Sequence, residues 1–85
     1  MPRVLTLQHA DVPAEKRGTF LARLRARHAF FSHESCRYWA FEDTARPGAF
    51  LEFVEAADPS RLRAALAGAP EQGSESAPVY AEVEC

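Results

Sequence analysis

Cys36-Arg37-Tyr38-Trp39-Ala40-Phe41-Glu42 and Ala49-Phe50-Leu51-Glu52-Phe53-Val54-Glu55, joined by Asp43-Thr44-Ala45-Arg46-Pro47-Gly48, read as a β-hairpin apolar on both faces. Side chains alternate across a strand, so Tyr38 and Ala40 point one way while Trp39 and Phe41 point the other. On the second arm Leu51 and Phe53 oppose Phe50 and Val54 in the same manner. A sheet in a small α+β domain normally needs one apolar face. This one needs two covers, and its own helices supply only one. The expected second cover is another copy of the chain.

The composition bounds the rest. Eighty-five residues make one domain over 1–85, near the lower limit for a self-sufficient core. A net charge of -2 argues against a nucleic-acid binder, and 47% hydrophobic residues against a disordered chain. There is no run of about 18 apolar residues and no signal-peptide pattern. The expectation is therefore a cytoplasmic protein with no membrane contact. Cys36 and Cys85 have no metal-type spacing and are too few for a disulfide scaffold, so no metal is expected.

Upstream of the hairpin, residues 3–10 alternate as a strand, with Leu5, Leu7 and His9 on one face. Asp11-Val12-Pro13 then opens a helix whose apolar stripe is Phe20, Leu21, Leu24, His28 and Phe31. Lys16, Arg17, Arg23 and Arg27 occupy its other side, and Gly18 softens its first turn. Downstream, Asp58-Pro59-Ser60 caps a short helix that turns Leu62, Ala65 and Leu66 inward and ends at Gly68 and Pro70. Residues 71–76 form a polar loop, and 78–85 alternate as a last strand. The order is β-α-β-β-α-β, the ferredoxin-like arrangement with a four-stranded antiparallel sheet. Right-handed crossovers place both helices on one face. The other face is left bare, and a homodimer through that face would cover it.

With these segments the chain resembles the dimeric α+β barrel superfamily, most closely the antibiotic biosynthesis monooxygenase-type domain. Residues 35–43 are similar to that family's second strand, 50–55 to its third, and 58–66 to its second helix. The resemblance implies a cofactor-independent monooxygenase acting on an aromatic or polyketide-like molecule, with no metal or flavin. A deprotonated, electron-rich substrate can itself react with oxygen. The haem-degrading relatives use asparagine, tryptophan and histidine. This chain has no asparagine and no histidine in its second helix, so haem degradation is not expected.

Candidate site residues follow. His9 or His28 would be the base, since neutral imidazole suits proton abstraction near neutral pH. Tyr38 would donate to the developing oxyanion, and Trp39, Phe53 and Glu52 would line the ligand site in a cleft between sheet and helices. If Phe41 pairs with Phe50, Glu52 faces Trp39 and lies diagonal to Arg37. It is then either a base with a raised pKa or half of an Arg37–Glu52 cross-strand ion pair. Packing alone also accounts for the rings, and the arginines at 17, 23, 25 and 27 form either an anion-binding patch or a solvated helix face. Cys36 is expected to be structural rather than nucleophilic. The alternative to the enzyme is a non-catalytic dimer that binds a small apolar ligand or serves as an accessory or assembly subunit.

Overall fold

Six residues separate Glu42 from Ala49, and their turn chemistry closes the hairpin. The Asp43 side chain accepts from Ala45 N at 2.8 Å, Arg46 N donates to Asp43 O at 3.3 Å, and Gly48 takes φ 92°. Asp43 N to Ala49 O, at 2.9 Å, is the last bond of the turn. The computed structural model describes residues 3–69 and 78–83. Pro70, the loop expected over 71–76 and the strand residues Glu84 and Cys85 lie outside the described residues.

The elements are β1 (Val4–Asp11), a 3-10 turn (Ala14–Lys16), α1 (Arg17–His33), β2 (Arg37–Glu42), β3 (Ala49–Ala56), α2 (Pro59–Gly68) and β4 (Val79–Ala81). The strands form one antiparallel sheet in the order β2-β3-β1-β4. A four-stranded antiparallel sheet with two helices is an α+β fold, compatible with the ferredoxin-like arrangement. Among the described residues, no helix is long and apolar enough to cross a membrane.

Two boundaries differ from expectation. The first helix starts as a 3-10 turn after extended Pro13, and regular α-helix begins only at Arg17. Among the described residues 78–83, the last strand pairs over Val79–Ala81, and Glu82 N still donates to Arg3 O at 2.8 Å. α2 follows its sequence signals: Asp58 accepts from Arg61 N at 2.8 Å, and Leu62, Ala65 and Leu66 are buried. α1 ends in a Schellman-type cap, with Cys36 N donating to Phe31 O at 3.0 Å and Ser35 at φ 61°.

The hairpin register differs by one residue from the expected Phe41–Phe50 pairing. Phe41 is opposite Leu51, Trp39 opposite Phe53, and Ala40 opposite Glu52. The side-chain period is two, so a one-residue slip exchanges the faces of the sheet. Glu52 therefore shares its face with Tyr38 rather than Trp39, and the expected Arg37–Glu52 contact does not form. Arg37 is opposite Glu55 instead.

Val4, Thr6, Tyr38, Phe50, Val54 and Ala56 are buried on the helix-covered face. The apolar members of this set join Phe20, Leu24, Phe31, Leu62 and Leu66 in one core. The opposite face carries Leu5, Leu7, His9, Leu51, Phe53 and the rings of Trp39, Phe41 and Tyr80, which are 38%, 55% and 51% exposed.

Candidate functional site

Chemistry-bearing side chains gather at two places, on opposite faces of the sheet. The first lies between α1 and the sheet. Positions 20, 24, 27 and 31 fall on one stripe of α1, so Arg27 rather than His28 points inward, and it is 2% exposed. Its guanidinium lies over the Phe31 ring at 5.3 Å, and its Nε donates to Glu52 Oε1 at 2.8 Å. Tyr38 donates its hydroxyl to the same oxygen at 2.6 Å, and its ring stacks on Phe31 with centroids 5.7 Å apart. A buried cation, a carboxylate and a phenol thus satisfy one another. Among the described residues, no fully buried side-chain nitrogen or oxygen lacks a partner. Burial first, and then the bond to Glu52, push the Tyr38 hydroxyl well above its ordinary pKa.

The second place is a cleft of about 390 Å³ on the bare face, at the hairpin-loop end of the sheet. Its floor follows the register: His9, Leu51 and Phe41 form one row across β1, β3 and β2. The next row sets Asp11 and Asp43 on either side of Ala49, whose short side chain leaves the hollow. Arg46 lies across the rim with its Nη2 3.8 Å from Asp11 Oδ1, both side chains largely in solvent.

The loop that carries Arg46 is pinned from behind. Glu42 takes two bonds from Arg17, at 2.6 and 2.8 Å, and a third from Gly48 N at 2.9 Å. Those bonds, Arg17 first, hold its carboxyl down at about 2. Val12 N donates to Gly48 O at 2.8 Å. The loop is therefore tied to α1 and to the residue that follows β1.

These positions divide the expected site. Tyr38 and Glu52 lie on the helix face, bonded to each other. His28 is exposed on α1, its ring centroid 6.0 Å from that of Tyr38. His9, Trp39 and Phe53 lie on the bare face, and of these only His9 lines the cleft. The sheet stands between Trp39 and Phe53 on one side and Tyr38 on the other, so no single cleft between sheet and helices contains them all. Cys36 is a buried free thiol that burial pushes above its ordinary pKa, which suits packing rather than attack. Among the described residues, no three His, Cys, Asp or Glu are grouped to hold a metal.

Sequence reasoning missed Arg27 as a buried group, and Asp11, Asp43 and Arg46 as cleft residues. The signal for Arg27 was present in the spacing of 20, 24, 27 and 31 and was masked by its charge. No sequence signal marked the other three beyond their place in turns. Comparison with family models, with curated proteins and with solved structures finds no match to this chain.

Proposed function

We propose that the chain works as a small-ligand-binding homodimer, two sheets packed bare face to bare face, with the cleft at the hairpin end as its binding site. The exposure of Trp39, Phe41 and Tyr80 on one sheet face carries this reading. At about 200 Å² per ring, their exposed fractions leave roughly 300 Å² open. The half-buried Leu5, Leu7, Leu51 and Phe53 extend the patch. That places it at or above the few hundred Å² that soluble monomers tolerate. At about 25 cal/mol per Å² the three rings offer roughly 7 kcal/mol per protomer. Two protomers together reach the upper part of the roughly 4–15 kcal/mol that association costs. The β-α-β-β-α-β element order supports a ferredoxin-like protomer and, with the bare face, a dimeric α+β barrel. A buried free Cys36 suits a reducing, cytoplasmic setting.

Sedimentation velocity at micromolar concentration tests the assembly. The wild type is expected as a dimer, and Trp39→Glu and Phe41→Glu as monomers with unchanged helical circular dichroism. A monomeric wild type overturns the reading.

The second reading is the cofactor-independent monooxygenase implied by the family resemblance. Its support is that His9 and the Phe41 ring line one cleft, on either side of Leu51, a base and an aromatic wall around one hollow. It carries less weight because the Tyr38 hydroxyl, the expected oxyanion donor, is spent on Glu52 behind the sheet. Oxygen uptake with an anthrone-type phenol, abolished in His9→Ala, is the outcome that would raise it above the first.

A further inference from the structure

We infer that the cleft at the hairpin end takes a small zwitterion, an α-amino acid with an apolar side chain. The inference rests on the ligand-binding reading above and names the ligand class for that same site. The cleft presents three things at once: a positive fork, negative groups and an apolar floor.

Arg46 is the positive fork. Its guanidinium matches a carboxylate through two parallel hydrogen bonds. It stands 3.8 Å from Asp11, longer than the roughly 2.7–2.9 Å of a closed charge-assisted bond. The pair is therefore open, and both members are mostly solvated, so a ligand displaces little when it enters. The ligand carboxylate bonds to Arg46 and its ammonium to Asp11, giving alternating charges around the rim.

Charge balance selects against simpler ligands. Asp11 and Asp43 flank Ala49, so a bare carboxylate approaching Arg46 is repelled on both sides. A bare amine leaves the guanidinium unmatched and meets it at close range. Only a molecule with both charged groups on one carbon is complementary throughout. In the proposed dimer the cleft lies at the loop end of the seam, so the apolar body rests over Ala49, with Leu51 and the Phe41 ring shared between the ligand and the partner sheet. A volume of about 390 Å³ suits a small ligand, near the lower end of the roughly 300–1,000 Å³ typical of such sites. The rim is also preorganised, because Gly48 is bonded on one side to Glu42 and on the other to Val12.

Titration calorimetry on the full chain tests this with three probes of one shape: L-phenylalanine, 3-phenylpropionate and phenethylamine. L-phenylalanine is expected to bind about tenfold more tightly than either single-charge analogue. Arg46→Gln is expected to erase its advantage over the amine, and Asp11→Asn its advantage over the acid. Both positions are exposed, and circular dichroism confirms that the variants fold. If an analogue binds as tightly as the amino acid, the zwitterion assignment is overturned while the cleft stands as a ligand site. If none of the three binds, the cleft itself is overturned, whatever sedimentation shows about the dimer.

Discussion

Removing the Glu52 carboxylate, as in Glu52→Ala, takes the shared acceptor from two buried groups. Arg27 is 2% exposed and donates its Nε to Glu52, and the buried Tyr38 hydroxyl donates to the same oxygen. An uncompensated buried charge typically costs about 3–5 kcal/mol, and an orphaned hydroxyl about 1–3 kcal/mol. The two overlap, since water drawn to one group serves the other, so the expected loss is about 4–5 kcal/mol. A domain of 85 residues holds roughly 4–13 kcal/mol in all, so the variant sits near the edge of folding. Tyr38→Phe leaves the Arg27–Glu52 bond in place and is expected to cost only about 1 kcal/mol. The combined Arg27→Met, Tyr38→Phe, Glu52→Leu variant replaces the whole network with apolar groups of similar size. It is expected to recover most of the loss, because no buried charge remains. Urea denaturation followed by circular dichroism at one fixed protein concentration measures all three. The reasoning fails if Glu52→Ala costs less than about 1 kcal/mol, or if the triple variant is no more stable than that single one.

Three further outcomes follow from local geometry. Gly48 has φ 92°, and a side chain there would collide with the Val12 carbonyl oxygen, so Gly48→Ala is expected to lose about 2 kcal/mol or more in urea denaturation. Ser35 holds the left-handed position of the α1 cap at φ 61°, so Ser35→Gly is expected to gain about 0.5–1 kcal/mol in the same assay. Glu42 has a folded pKa depressed to about 2 from its ordinary 4.5. Its stabilising contribution is thus complete above pH 4.5 and is lost as pH falls through about 2. Carboxyl NMR titration is expected to find this low value in the wild type and a return toward 4.5 in Arg17→Gln.

The parts of the fold that depend on neighbours in sequence were readable from it. Asp58, Pro59 and the spacing of Leu62, Ala65 and Leu66 define α2 within a few turns of chain, and the structure keeps all of them. The two-faced hairpin was readable for the same reason, since alternation is local. Register was not readable, because it is decided by how six loop residues close. There the Asp43 side chain and the Gly48 conformation add one residue to the pairing. That single residue moved Glu52 to the other face and with it the meaning of the candidate site. Arg27 was misplaced for a related reason. Burying an arginine is favourable only beside a carboxylate, and its partner lies 25 residues away on β3. His28 looked like the inward residue by polarity, but helical geometry gives that place to 27. The cleft was half readable: His9 stood out as a polar residue at a strand end. Asp11, Asp43 and Arg46 come together only once β1 lies beside the hairpin.

The placement of Trp39 has a spectroscopic consequence. It is the only tryptophan in the chain, and it sits on the bare face, outside the core. In most small domains, indole emission follows the melting of the interior. Here it follows the solvent contact of a surface. If the proposed dimer forms, dilution alone would shift the emission to longer wavelength and open it to iodide quenching, with the helices intact. Fluorescence and far-ultraviolet dichroism would then give different midpoints on the same sample, separated by an amount that depends on protein concentration. In the proposed dimer that disagreement would measure the covering of the sheet and would not be a sign of a folding intermediate.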